Sequence, residues 1–303
     1  MARRSPEPVP LADLLDSWLL SLRAERKSAQ TIKSYGDGVR KFLGYCEIEQ
    51  IPAVLDRPTV NAFTAALLDG GAEAATARSR QLAVRRFSSW LADEGEIADD
   101  LLIGLKPPKL DKKVVPSLSD EQAVALIKAC KGSEFRDRRD EALVRLMLES
   151  GMRAGEAVDL RRGDVDLSNL TVIVRRGKGG KARTVPISAT TGKSIDRYLR
   201  ARRSHALADS DALWLGERSK SFTYDALHKS LKWRAEDIAR IPHFHPHMLR
   251  HTAASRWLAR GGSEGGLMAV AGWSTRDMID RYTADTAAAR AADEARSLGL
   301  GDI

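Results

Sequence analysis

Apolar residues recur at three- and four-residue intervals along four early stretches, 11–24, 28–47, 57–69 and 74–94. That interval puts them on one face of a helix, so the pattern predicts a compact bundle of four amphipathic helices ending near residue 104. Two helix starts carry matching chemistry. Ser28 stands where a capping hydroxyl belongs, and Pro58 falls in a first turn, where its missing N–H costs nothing. The interval then fails. Residues 105–118, LKPPKLDKKVVPSL, hold three prolines and read as a linker. Ser119 with Gln122 has the spacing of a capping box that opens a second domain, 119–303. Helical periodicity returns there in a run up to Gly151, and further on at 190–208, 223–240, 246–261, 264–272, 275–282 and 284–298. One stretch differs. LTVIVRRGKGGKARTVPI, residues 170–187, has two short β-branched runs around a glycine-rich turn and predicts an antiparallel hairpin. The fold class expected is therefore mainly α (α+β), two helical domains with a small antiparallel β-hairpin in the second.

Composition narrows the setting. The 303 residues are 43% hydrophobic and 30% charged, as in globular proteins. No apolar run approaches the roughly 20 residues that span a bilayer, and no long apolar segment follows the two early arginines, so a cytoplasmic protein with no membrane partner is expected. Cys46 and Cys130 lie far apart, with no metal-ligand spacing, and read as reduced packing residues. The formal charge of +8 is uneven: residues 1–104 hold 13 Lys+Arg against 15 Asp+Glu, and residues 105–303 hold 36 against 26. Such an excess points to a polyanion, nucleic acid before membrane. Arg78, Arg85 and Arg86 give the first domain a basic face despite its balance. Lys112 and Lys113 in the linker, and Arg175, Arg176 and Lys181 in the hairpin, are further candidates for DNA contact.

Several residues carry candidate chemistry. Arg153 sits between two apolar helical patterns, flanked by Gly151 and Gly155. A guanidinium is costly to bury without an anion, so Arg153 either meets a carboxylate such as Glu156 or awaits an anion from outside. Lys178 rides on the glycine-rich hairpin turn. Four of the six histidines, His243, His245, His247 and His251, fall in one short stretch. His247 and His251 have zinc-like spacing, but the stretch lacks Cys, Asp and Glu. His247 and Arg250, three apart at a helix start, suit a phosphate, with the imidazole able to exchange a proton near neutral pH. Trp273 follows a glycine at a helix break, and Tyr282 comes nine residues later. A phenol is a competent nucleophile toward a phosphodiester.

In order and spacing, Arg153, Lys178, the His247-Met-Leu-Arg250 motif, Trp273 and Tyr282 resemble the tyrosine recombinases, also called phage integrases, and the likeness runs along nearly the whole chain. The resemblance implies a SAM-like, DNA-binding core-binding domain over 1–104 and a catalytic domain over 119–303. It implies that Arg153 and Arg250 hold the scissile phosphate and that Tyr282 attacks it, leaving a 3′-phosphotyrosyl strand and a free 5′-hydroxyl. Lys178, with Lys181 as the alternative, would protonate the leaving oxygen, and His247 would serve as base or relay. Many members have histidine where Trp273 stands. An indole has one N–H donor and no proton to exchange at neutral pH, so this position would bond or pack rather than titrate. No metal or other cofactor is implied. The implied partners are double-stranded DNA recombination sites, a homo-tetramer on synapsed DNA passing through a Holliday junction, and an accessory directionality factor.

Only about ten residues precede the first helix, too few to fold as an arm-binding domain. The expectation is thus a simple phage or mobile-element integrase, or a Xer-like recombinase, with the segment 284–298 passed to a neighbouring protomer. A type IB topoisomerase and a non-catalytic DNA-binding protein are the rival readings.

Overall fold

The computed structural model describes residues 10–110, 116–175, 182–217 and 220–273, with the single positions 275, 279 and 296. The chain divides into two compact units, Met1–Lys113 and Val114–Ile303.

The first unit is built from α1 (Leu11–Ala24), α2 (Ala29–Ile48), α3 (Arg57–Asp69) and α4 (Ala74–Asp93). Ser28 caps α2, its Oγ accepting from the Thr31 N–H at 3.1 Å, and Asp56 caps α3 through the Thr59 N–H at 2.8 Å. Trp18, Phe42, Phe63, Phe87 and Leu91 fill the core. The Phe42 and Phe63 rings meet edge to face at 5.5 Å, a favourable quadrupole geometry. Gly38 lets α2 lie directly on the Ala83 methyl of α4. The expected linker starts as part of this bundle: Leu105 is buried in its core, and Gln81 donates to the Lys106 carbonyl at 3.4 Å. The proline count hid this, because one apolar side chain shows no period.

In the second unit, Ser119 and Gln122 form the reciprocal cap that opens α5 (Asp120–Ala129). Leu118, at the end of the expected linker, is buried here, and its N–H donates to Thr252 Oγ1 at 2.8 Å. α6 (Phe135–Ser150) runs through the centre and ends at Gly151, whose φ of 60° is open to glycine at little cost. After α7 (Ala154–Val158) come β1 (Val165–Asp166), β2 (Thr171–Val174) and β3 (Arg183–Pro186). They form an antiparallel sheet in the order β1-β2-β3, with Val172 opposite Val185. The hairpin is the expected one; β1, two residues long, is too short to announce itself by alternation.

α8 (Ala189–Arg202), α9 (Tyr224–Trp233), α10 (His247–Ala259) and α11 (Glu264–Ala271) complete the described elements. The helix expected over 190–208 stops at Arg202. The guanidinium turns back and donates to the carbonyls of Ala208, Ser210, Ala212 and Leu213 at 2.7 to 3.1 Å, so the chain wraps around it instead of continuing. The helix expected over 223–240 loosens into a single wide turn at Arg234–Ile238. There Arg234 reaches Asp137 at 2.6 Å and the fully buried Asp140 at 3.1 Å. The helices expected at 275–282 and 284–298 lie outside the described residues. Cys46 and Cys130 are buried free thiols, and burial pushes both thiol pKa values up. No helix among the described residues is long and apolar enough to cross a membrane.

Candidate active site

The left-handed turn at Gly151 brings Arg153 to the N-cap of α7. There its backbone N–H donates to Glu156 Oε2 at 3.0 Å and its Nη1 to Oε1 at 2.9 Å. Glu156 is also claimed by Arg183, whose Nη2 donates to Oε2 at 2.6 Å and whose Nε donates to the Val270 carbonyl at 2.8 Å. Burial alone raises the Glu156 pKa. The hydrogen bonds and charges of Arg183 and Arg153 outweigh that and hold it below the usual carboxylate range. One ionised carboxylate thus serves two guanidiniums. Of the alternatives for Arg153, the carboxylate partner is present: Glu156.

Arg250, on the first turn of α10, is 1% exposed. Its Nη1 donates to the Gly151 carbonyl at 2.6 Å and the Ala271 carbonyl at 2.8 Å. These groups stand at the C-terminal ends of α6 and α11, where unpaired carbonyls make each helix end negative. One cation therefore ties three helices together. Its guanidinium also lies 5.1 Å from the ring centroid of the buried Trp273, within cation–π range. His247 opens α10, its ring meeting that of His251 edge to face at 4.6 Å. Burial, then the charges of Arg250, His245 and Arg153, push the His247 pKa below its ordinary value. A depressed histidine is neutral at pH 7 and is a proton acceptor there.

Gly272, between α11 and Trp273, has φ 67°. A methyl group there would come within 2.8 Å of Arg183 Nη1, and that guanidinium is already held by Glu156 and Val270. Gly272→Ala is expected to cost about 1–3 kcal/mol from backbone conformation, with the clash in addition. A lowered urea midpoint checks it.

Of the residues singled out in the sequence, Arg153, His247, Arg250 and Trp273 are brought together. Arg78 and Arg86 are exposed on α4 and Arg85 is half-buried. Arg175 is ion-paired with the buried Asp164, which gives it a structural partner in addition to any DNA contact. Lys112, Lys113, Arg176, Lys178, Lys181 and Tyr282 lie outside the described residues. Sequence reasoning missed Arg183 and the double duty of Glu156.

Comparison with known proteins extends the picture. Residues 116–289 match the model of the phage integrase family, and residues 15–95 that of the phage integrase N-terminal SAM-like domain. Over 252 residues the chain is 32% identical to tyrosine recombinase XerC of Pseudomonas aeruginosa, covering 82% of each protein. Its fold is similar to that of XerH site-specific recombinase bound to a palindromic difH substrate in a post-cleavage complex, with a TM-score of 0.73 and 19% identity over 96% of this chain and 85% of the other. It is also similar to a lambda integrase tetramer bound to a Holliday junction, with a TM-score of 0.70 and 14% identity over 92% of this chain and 78% of that one.

Proposed function

The chain belongs to the phage integrase family and is a tyrosine site-specific recombinase, and we propose that it exchanges strands between double-stranded DNA sites through a 3′-phosphotyrosyl intermediate. The observation that carries this reading is that Arg153 and Arg250 both act on His247, beside a carboxylate, Glu156, that Arg153 shares with Arg183. That arrangement leaves positive charge for a phosphate. In the proposed reaction Arg153 and Arg250 bind the non-bridging oxygens and offset the charge that builds on them. The phenol oxygen of Tyr282 bonds to phosphorus as the bond to the 5′-oxygen breaks. His247 takes the phenol proton, and Lys178 gives a proton to the leaving 5′-oxygen. The new ester keeps the energy of the phosphodiester, so a second 5′-hydroxyl reverses the step on a new strand. Trp273 packs against Arg250 and holds its plane.

The basic residues Arg78, Arg85, Arg86, Lys112, Lys113, Arg175, Arg176 and Lys181 neutralise flanking phosphates in this reading. Four protomers act on two synapsed sites through a Holliday junction, a reading supported by the likeness to the lambda integrase tetramer. The sites proposed are those of a phage or mobile element. The likeness to XerC over 82% of both chains favours a second reading, action at a chromosomal resolution site. Plasmids carrying paired element-attachment or chromosomal sites separate the two. The deciding test of the chemistry is a nicked suicide duplex that traps the covalent complex. Mass spectrometry is expected to map the bond to Tyr282. Attachment at any other side chain overturns the assignment.

A further inference from the structure

Arg183 has no part in the reaction as assigned, yet, like Arg250, it ties three elements together, β3, α7 and α11. It opens β3, the strand that follows Lys178 in sequence. Its side chain is 10% exposed, with one arm on Glu156 of α7 and the other on the last turn of α11. Gly272, with no side chain, leaves it the room.

The division of the Glu156 oxygens explains what this does. Oε2 takes the Arg153 backbone N–H at 3.0 Å and Arg183 at 2.6 Å, so Arg153 has only Oε1 for its own guanidinium. Without Arg183 the second lone pair of Oε2 opens to the Arg153 guanidinium. A carboxylate and a guanidinium then close into a two-bond fork, stronger and more nearly neutral than a single contact. An arginine locked that way is a poorer phosphate ligand. We propose that Arg183 is a positioning residue that keeps Arg153 available to DNA by occupying one oxygen of Glu156, while its second arm sets the end of α11 that leads into Trp273. This rests on the recombinase reading above.

The test is single-turnover cleavage of a nicked suicide duplex at saturating full-length protein, with DNA affinity measured alongside. Arg183→Gln is expected to slow cleavage about 10- to 100-fold, the scale of a mispositioned reacting group, with DNA affinity within twofold of wild type. Glu156→Gln alone is also expected to slow cleavage. In the Arg183→Gln background it is expected to slow it no further, because the anion that captures Arg153 has gone. A double variant more than twofold slower than Arg183→Gln overturns the proposal. Should the Gln variants fail to fold, Arg183→Lys decides: it keeps the charge but cannot reach both partners. A cleavage rate at least fivefold below wild type supports the role, and a smaller reduction refutes it. Absence of a Tyr282 adduct with the wild-type protein is a separate result, which refutes the recombinase chemistry and this role with it.

Discussion

Arg250→Ala is expected to lose strand cleavage by about a thousandfold or more and to destabilise the protein at the same time. Both effects come from one guanidinium. Its removal leaves the carbonyls of Gly151 and Ala271 without their donor in a closed interior. A buried acceptor stripped of its partner costs on the order of 1–3 kcal/mol, so two of them put the loss at roughly 2–6 kcal/mol. The rate follows from the phosphate. Deleting one fixed donor to a developing oxyanion costs about 100- to 1,000-fold, and here a full charge goes with it. Arg250→Lys keeps the charge but not the planar fork, and it should fall between wild type and Ala in both measurements. Urea unfolding and single-turnover cleavage read the two effects separately. An Ala variant with the wild-type urea midpoint would show that the helix ends find other donors.

Tyr282→Phe is expected to abolish the covalent protein–DNA complex outright and to leave DNA affinity within about twofold, since phosphate contacts dominate binding. The change removes one oxygen and keeps the ring. No other atom of that side chain can bond to phosphorus, so the loss has no graded form. Denaturing gel electrophoresis of the trapped complex, beside a footprint on the same duplex, measures both halves. A Phe variant that still joins DNA ends defeats the nucleophile assignment. A Phe variant with wild-type function and no covalent step in either protein supports a non-catalytic DNA-binding role.

Much of the fold was legible because burial has a period. The four helices of the first unit, the Ser119–Gln122 cap and the β2–β3 hairpin all follow from residues that lie close in sequence. What stayed hidden was decided by single long side chains that reach backbone groups. Arg202 ends a helix by turning back on the chain that follows it, and Arg250 finds a carbonyl 99 residues away. No local pattern encodes either contact. Arg183 did leave a trace: it shares the inward face of β3 with the buried Val185, two residues on. An arginine at an inward position of a short strand asks for a buried partner, and Glu156 was already in view as a neighbour of Arg153. Arg153, His247, Arg250 and Trp273 were legible as residue types in order, while Lys178 and Tyr282 lie outside the described residues. The charge arithmetic of one carboxylate between two arginines was not, because it depends on β3 and α7 meeting in space.

The cluster is assembled from distant parts of the chain: Arg183 closes onto the Val270 carbonyl 87 residues on, and Arg250 onto the Gly151 carbonyl 99 residues back. A polypeptide still emerging from the ribosome therefore carries Arg153 and its partner Glu156 before the residues that fix the far side of this cluster have been made. The cluster is complete only once α10 and α11 have been made and docked, so the folding of the second unit sets when it forms.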